Sequence, residues 1–331
     1  MMNETLERRC ELLVENQRAM CKSFMLEHSL TNAVVAATFA EKEMKLDVDQ
    51  IRSARKLLKE RKGVFSEFRA YNELMVSAKM ALSADPEDYI EKAIEVYDKF
   101  QKGKILGSAY RVLAAVSVVD QGRYADTDMI IDKTNALLKG MKKEHPFLTS
   151  DEDTCFAVLL AMTDKNVEDI LPELEESYQI VKKKFAFHDN AAYSLAQVLT
   201  AYEGDPQEKC ERAIALFNAF KEKGAKYGKE YELASLGALI DIDAEVDEIV
   251  SEVIEVADHL KGKKGFGVLD MGKDTKLMFG TMLVSGAYMS GEKANASSIG
   301  GEIGRVVALQ TAILITMMMI MTTTAIASSS H

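Results

Sequence analysis

Three acidic pairs, Asp47/Asp49, Asp126/Asp128 and Asp241/Asp243, are the residues of this chain that first resemble a reaction centre. Two carboxylates so close can chelate Mg²⁺ or divide the acid and base work of glycoside hydrolysis. They stand at the same turn of successive helical units, in series with Asp85/Asp88, Asp164/Asp169 and Asp205. Such recurrence is what helix capping predicts and what a single active site does not. His188-Asp189 could pair a base with its orienting carboxylate. It falls at the entry of a helix, where a helix-start role is expected instead.

His28, His145, His259 and His331 are scattered, and neither an HExxH motif nor a His/Cys cluster offers a metal site. Cys10, Cys21, Cys155 and Cys210 are far apart and without CxxC spacing. Each lies in an apolar helical pattern, so buried free thiols and a reducing compartment are expected. Cys10 and Cys21 are eleven residues apart, three helical turns, and should both face the core. Gly-Lys-Lys-Gly-Phe-Gly-Val-Leu-Asp-Met-Gly (262–272) is glycine-rich with two lysines, but it follows a helix and matches no phosphate-loop spacing. No GxSxG elbow occurs. The sequence therefore names no catalytic residue, metal or cofactor.

The elements that would have to position any site are helices. Four prolines, no tryptophan and 47% hydrophobic residues in a chain of 331 favour helix and allow a sizeable core. A net charge of −11 argues against a general nucleic-acid partner. Asp85-Pro86-Glu-Asp-Tyr-Ile-Glu-Lys-Ala93-Ile94-Glu-Val-Tyr97-Asp-Lys-Phe100 is written again 120 positions later. The copy reads Asp205-Pro206-Gln-Glu-Lys-Cys-Glu-Arg-Ala213-Ile214-Ala-Leu-Phe217-Asn-Ala-Phe220. Each copy opens on an N-capping Asp with Pro in the first turn, then presents one apolar face at helical period.

A two-helix unit of about 40 residues recurs on this reading. Its first helix is apolar nearly all round, near 32–40, 72–82, 110–119, 154–162, 191–202, 233–240 and 277–284. Such helices must be buried on every side. The second is amphipathic, near 48–61, 89–102, 129–143, 167–184, 209–223 and 246–261, with acidic starts and Lys- or Arg-rich ends that suit the helix dipole. The expected fold is all-α, tandem helical hairpins in an α-solenoid-like array, with a closed α/α toroid as the alternative. One domain over 1–331 would hold an N-terminal helix (4–28), about six hairpins (29–272) and a C-terminal apolar hairpin (273–331).

Stacked in parallel, these ends would form an acidic edge and a basic edge. The basic edge is a candidate receiver of an acidic peptide or anionic surface, and its densest patch is Arg52, Arg55, Lys56, Lys59, Arg61 and Lys62. His145-Pro146-Phe147-Leu148-Thr149-Ser150 is a candidate midpoint hinge, with Thr149 or Ser150 capping the next helix and Asp153 completing a capping box. Val306–Ala327 runs 22 residues without a charge, long enough to span a membrane, although it holds Gln310 and five threonines. Gly300, Gly301 and Gly304 upstream point to close helix packing. A buried helix is the expectation there, a tail anchor the alternative. The opening residues carry no apolar segment of signal-peptide type, so a cytoplasmic location is expected, with the cytoplasmic face of the membrane as its alternative.

Leu13-Val-Glu-Asn-Gln-Arg-Ala-Met20, the Asp85-Pro86 helix, His145–Ser150 and Gly265-Phe-Gly267 together resemble one family, domain of unknown function 4003 of Gram-positive bacteria. The resemblance covers nearly the whole chain and implies a cytosolic bacterial protein. It supplies no activity, cofactor or functional residues. The expected function is a non-enzymatic scaffold for a protein or peptide partner. The rivals are a toroid enzyme with a central pocket and an adaptor tethered by 306–327.

Overall fold

The computed structural model describes residues 2–64, 66–69, 72–267 and 271–290. Val306–Ala327 and the three glycines before it lie outside the described residues, as does part of the glycine-rich loop. All regular structure among the described residues is helical. The α-helices are α1 (Glu4–Ser23), α2 (Ser29–Glu41), α3 (Val48–Arg61), α4 (Glu73–Leu82), α5 (Pro86–Gln101), α6 (Ala109–Asp120), α7 (Thr127–Glu144), α8 (Thr154–Ala161), α9 (Val167–Lys184), α10 (Asp189–Thr200), α11 (Pro206–Glu222), α12 (Val246–Leu260) and α13 (Lys273–Ser290). A 3-10 segment, Tyr231–Leu239, lies between α11 and α12. It takes the place of an apolar helix, and its tighter winding is supported by Ser235 Oγ donating to the carbonyl of Glu232, three residues back.

The start signals act as their chemistry requires in several helices. Asp47 Oδ1 accepts from the amides of Asp49 and Gln50, Asp85 from Glu87 and Asp88, and Asp205 from Glu208. Ser150 and Asp153 form the capping box ahead of α8. Asp126 departs from the pattern. It makes no cap bond and instead accepts from Arg123 Nε at 2.6 Å. His188 and Asp189 open α10, and the His188 ring lies 3.0 Å from Glu230.

The apolar helices are buried on all sides. Every residue of α8 is buried, as is every residue of α2 from Leu30 to Ala40. Extensive packing joins several amphipathic helices to the apolar helix that follows, α1 to α2, α3 to α4, α5 to α6, α7 to α8 and α12 to α13, and also joins apolar α10 to the 3-10 segment Tyr231–Leu239.

The described residues divide into two compact units, 2–46 with 172–290, and 47–171. The His145–Ser150 turn lies inside the second unit, between α7 and α8. The boundaries fall instead at Leu46/Asp47 and at Leu171/Pro172, where α9 carries a proline. In the first unit α1 packs on α12 and α13, and α2 packs on α13. Gln17 Nε2 donates to the carbonyl of Gly265 across that junction, at 3.4 Å. In the second unit the apolar helices run parallel. Asn72 Nδ2 at the start of α4 donates to Ala109 O at the start of α6, and Arg111 near the start of α6 pairs with Asp151 before α8. At the other ends, Lys79 of α4 pairs with Asp120 of α6, and Arg123 after α6 donates to the carbonyl of Met162 after α8.

Candidate functional site

The six cations of the predicted basic patch do not form one free surface. Arg55 Nε and Lys59 Nζ both reach Glu73, at 2.5 and 3.4 Å, and Arg69 Nε joins them at 2.8 Å. Burial pushes the Glu73 carboxyl up, but the guanidinium hydrogen bonds and nearby cations hold it below its ordinary range. Arg52 pairs with Asp49 at 3.1 Å and Lys56 with Glu60 at 3.9 Å, each within α3. Arg61 and Lys62 leave α3 altogether. Arg61 pairs with Glu87 and Glu91 of α5, and Lys62 lies 4.0 Å from Asp98 and over the ring of Phe68.

Those last contacts border a groove. It runs along the outer face of α5, with a volume of about 530 Å³, and is lined by Glu91, Ile94, Glu95, Asp98, Lys99 and Lys102. Helical geometry explains the lining, since these residues recur at intervals of three and four along one stripe. On the far side from α3, Lys99 pairs with Asp128 at 3.0 Å, Tyr124 donates its hydroxyl to Glu95, and Lys92 lies over the Tyr124 ring. This groove is thus a shallow, open stripe on α5 with one apolar side chain, Ile94, and with ion pairs to α3 and α7 on either side.

Ile94 was expected on the core face with Ala93, Tyr97 and Phe100. Those three are buried, whereas Ile94 is half-buried and faces the groove. Ile214 has the same half-buried position on α11. The apolar face is narrower than the sequence pattern implies because Val96 and Leu216 occupy the central position. The two copies hold matching aromatic contacts: Tyr97 meets Phe68 edge-on at 5.3 Å, and Phe217 meets Phe185 at 4.9 Å.

The remaining chemistry-bearing groups are held in packing. Burial pushes the Cys10 thiol up to about 12 and Cys210 to about 11, and Cys155 is also raised by burial, so none is a thiolate near neutral pH. Cys21 is only half-buried, because it lies on the last turn of α1, where coverage of the helix thins. Tyr227, Ser235 and Thr281 share buried hydroxyl bonds of 2.6 and 2.9 Å. Among the described residues no three His, Cys, Asp or Glu side chains gather as a metal site would need.

One carboxylate was missed by sequence reasoning. Glu41, at the end of α2, is buried and pairs with Arg9 of α1 at 3.3 Å. Burial raises its carboxyl to about 8, with Arg9 opposing the shift and Glu43 adding to it. It lies against α13, where a side chain added at Gly286 would strike its Oε2.

An all-α chain of this kind, helices packed as neighbouring pairs around apolar inner members, is the class the fold defines. The chain belongs to the family described as Protein of unknown function (DUF4003), which residues 17–321 match. No curated protein and no solved structure matches the chain. Among the described residues, no helix is long and apolar enough to cross a membrane.

Proposed function

We propose that the protein is a non-enzymatic binding scaffold whose α5 groove holds a segment of a protein partner. The observation that carries this reading is the shallow groove itself: a half-buried isoleucine flanked by ion pairs on an open face of α5. A peptide can cover Ile94 with an apolar side chain and exchange its own charges into the ion pairs of Arg61, Lys62 and Lys99. Catalysis would need a nucleophile or base converging with a stabilising donor, whereas Glu91, Asp98 and Lys99 of the groove stripe are held in ion pairs. The buried free thiols support a reducing, cytoplasmic setting.

The test is capture from a lysate of a related bacterium by full-length bait, with wild-type protein beside a Lys99→Glu/Lys102→Glu variant. Arg52→Glu/Lys56→Glu is the companion variant for the α3 strip. Arg55 and Lys59 are unsuitable, since a carboxylate there would face buried Glu73 and unfold the site. The reading requires a reproducible partner lost with the Lys99/Lys102 reversal. A partner indifferent to both variants contradicts it.

A second reading, a toroid enzyme, is favoured by one observation, the packing of α1 and α2 on α12 and α13 within the first unit. A screen of metabolites for raised thermal stability tests it, and a uniformly negative screen counts against it.

A further inference from the structure

In the second unit the loops that lead into α4, α6 and α8 stand on one edge, because the starts of these helices are joined by the Asn72–Ala109 and Arg111–Asp151 contacts. Each of these loops carries an apolar side chain in open solvent. Val64 is 71% exposed, Ile105 98%, Leu106 77% and Phe147 99%. Single exposed apolar residues are ordinary on a protein surface. Here they recur on three consecutive loops. The one other large apolar side chain exposed among the described residues of this unit is Met129, at the start of α7.

Cations accompany the tips. Lys102 and Lys104 precede Ile105 within three residues, and Lys142 and Lys143 precede Phe147. Lys102 and Lys143 are exposed and in no ion pair among the described residues. Lys142 is turned inward to the carbonyls of Pro146 and Thr149, which holds the Phe147 loop in shape. Carboxylates stand at the opposite turns, Asp85, Asp88, Asp126, Asp128 and Asp164, and also on this edge, where Asp151 is paired with Arg111 and Glu144 lies beside Lys143.

We infer that this edge docks on an anionic lipid surface, with Ile105, Leu106 and Phe147 entering the headgroup boundary and Lys102 and Lys143 meeting the lipid phosphates. Charge complementarity and shape both select this occupant. A bilayer interface is a continuous apolar layer that accepts separate side chains at intervals, each from its own loop. A protein partner would need a matching pocket for every tip. The anionic leaflet attracts lysines and repels the acidic turns, so a chain of net charge −11 would bind edge-first or not at all. The docking edge adjoins the α5 groove and shares Lys102 with it, so Ile105, Leu106, Phe147 and Lys143, which do not line the groove, carry the test of this edge.

The experiment is co-sedimentation of full-length protein with phosphatidylcholine vesicles, and with vesicles containing about one third phosphatidylglycerol, at low salt. Binding to the anionic vesicles alone is expected. Ile105→Ser/Leu106→Ser and Phe147→Ser should each lower the partition coefficient by about tenfold and Lys143→Glu by about fivefold, while Met129→Ser leaves it unchanged. These side chains are exposed, so the variants should keep the parent's circular dichroism and melting profile. Absence of binding, or equal binding to both vesicle types, would overturn the inference. So would anionic binding indifferent to the loop variants, which would assign the contact to another stretch such as 306–327. Loop-dependent capture of a polypeptide without vesicle binding would overturn it in favour of a protein partner. None of these results bears on capture through Lys99 and Lys102 at the groove unless the Lys99→Glu variant changes with them.

Discussion

Glu41 is a carboxylate whose burial works against its own charge. In the unfolded chain it ionises near its ordinary value of 4.5, and in the folded protein burial raises this to about 8. Folding therefore favours the protonated form. Its contribution to stability is whole below the unfolded value and is lost as pH climbs through the folded one. Glu41→Gln, neutral throughout, should gain stability relative to the parent as pH rises from about 5 to about 9, read by urea denaturation at each pH. Parallel profiles for the two proteins would contradict the placement of Glu41. A second residue-scale test separates capping from coincidence. Asp85→Ala and Asp205→Ala should each cost about 1 kcal/mol, because each deprives helix amides of an acceptor. Asp126→Ala should cost less, since it removes only a partly exposed pair with Arg123. The capping residues were legible because the signal is local, an Asp followed by helix formers. Burial of Glu41 was not legible, because Arg9 and Gly286, which enclose it, lie far away in the chain.

At the scale of elements, most helices could be read with boundaries close to those observed, but α1 ends at Ser23 rather than 28, and α13 spans Lys273–Ser290 rather than 277–284. Val48–Arg61 and Val167–Lys184 agree at both ends. Charge-free runs such as Phe156–Met162 leave no exposed face to misjudge, and they form the buried α8. The stretch 233–240 was read as an apolar helix, whereas the structure winds Tyr231–Leu239 as 3-10, supported by a side-chain bond from Ser235 that periodicity does not encode. The groove was missed for a related reason. Glu91, Ile94, Glu95, Asp98, Lys99 and Lys102 read as the ordinary solvent face of an amphipathic helix, and only the ion pairs to α3 and α7 beside it set that face apart. Packing between elements also reverses an intrinsic preference. Ala exceeds Gly in helix propensity by about 1 kcal/mol. A Cβ at Gly280 of α13, however, would stand 2.7 Å from the backbone carbonyl of Val253 in α12, which cannot rotate away. Gly280→Ala should therefore lower the thermal midpoint, with a net loss of about 1–3 kcal/mol. An unchanged or raised midpoint would show that α12 and α13 are less closely joined.

For the whole molecule, composition and period sufficed for an all-α chain of paired helices, yet not for which pairs meet. Segment 2–46 belongs with α10 to α13 rather than with the residues that follow it, and nothing local in α1 or α2 announces this. Deleting residues 1–46 should uncover apolar surface on α12 and α13 and broaden the unfolding transition of the first unit, followed by hydrogen exchange of Val246–Leu260. Unaltered protection there would mean that the first hairpin contributes little. The scaffold reading is tested most directly by site-specific photo-crosslinking in cells. Benzoylphenylalanine would be placed at Glu95 in the α5 groove and, in a second protein, at Ala215, the exposed position 120 residues later on α11. The account predicts a discrete polypeptide adduct from position 95 that fades with Lys99→Glu/Lys102→Glu and is absent from position 215. No adduct from position 95, or the same adduct from both positions, would contradict it.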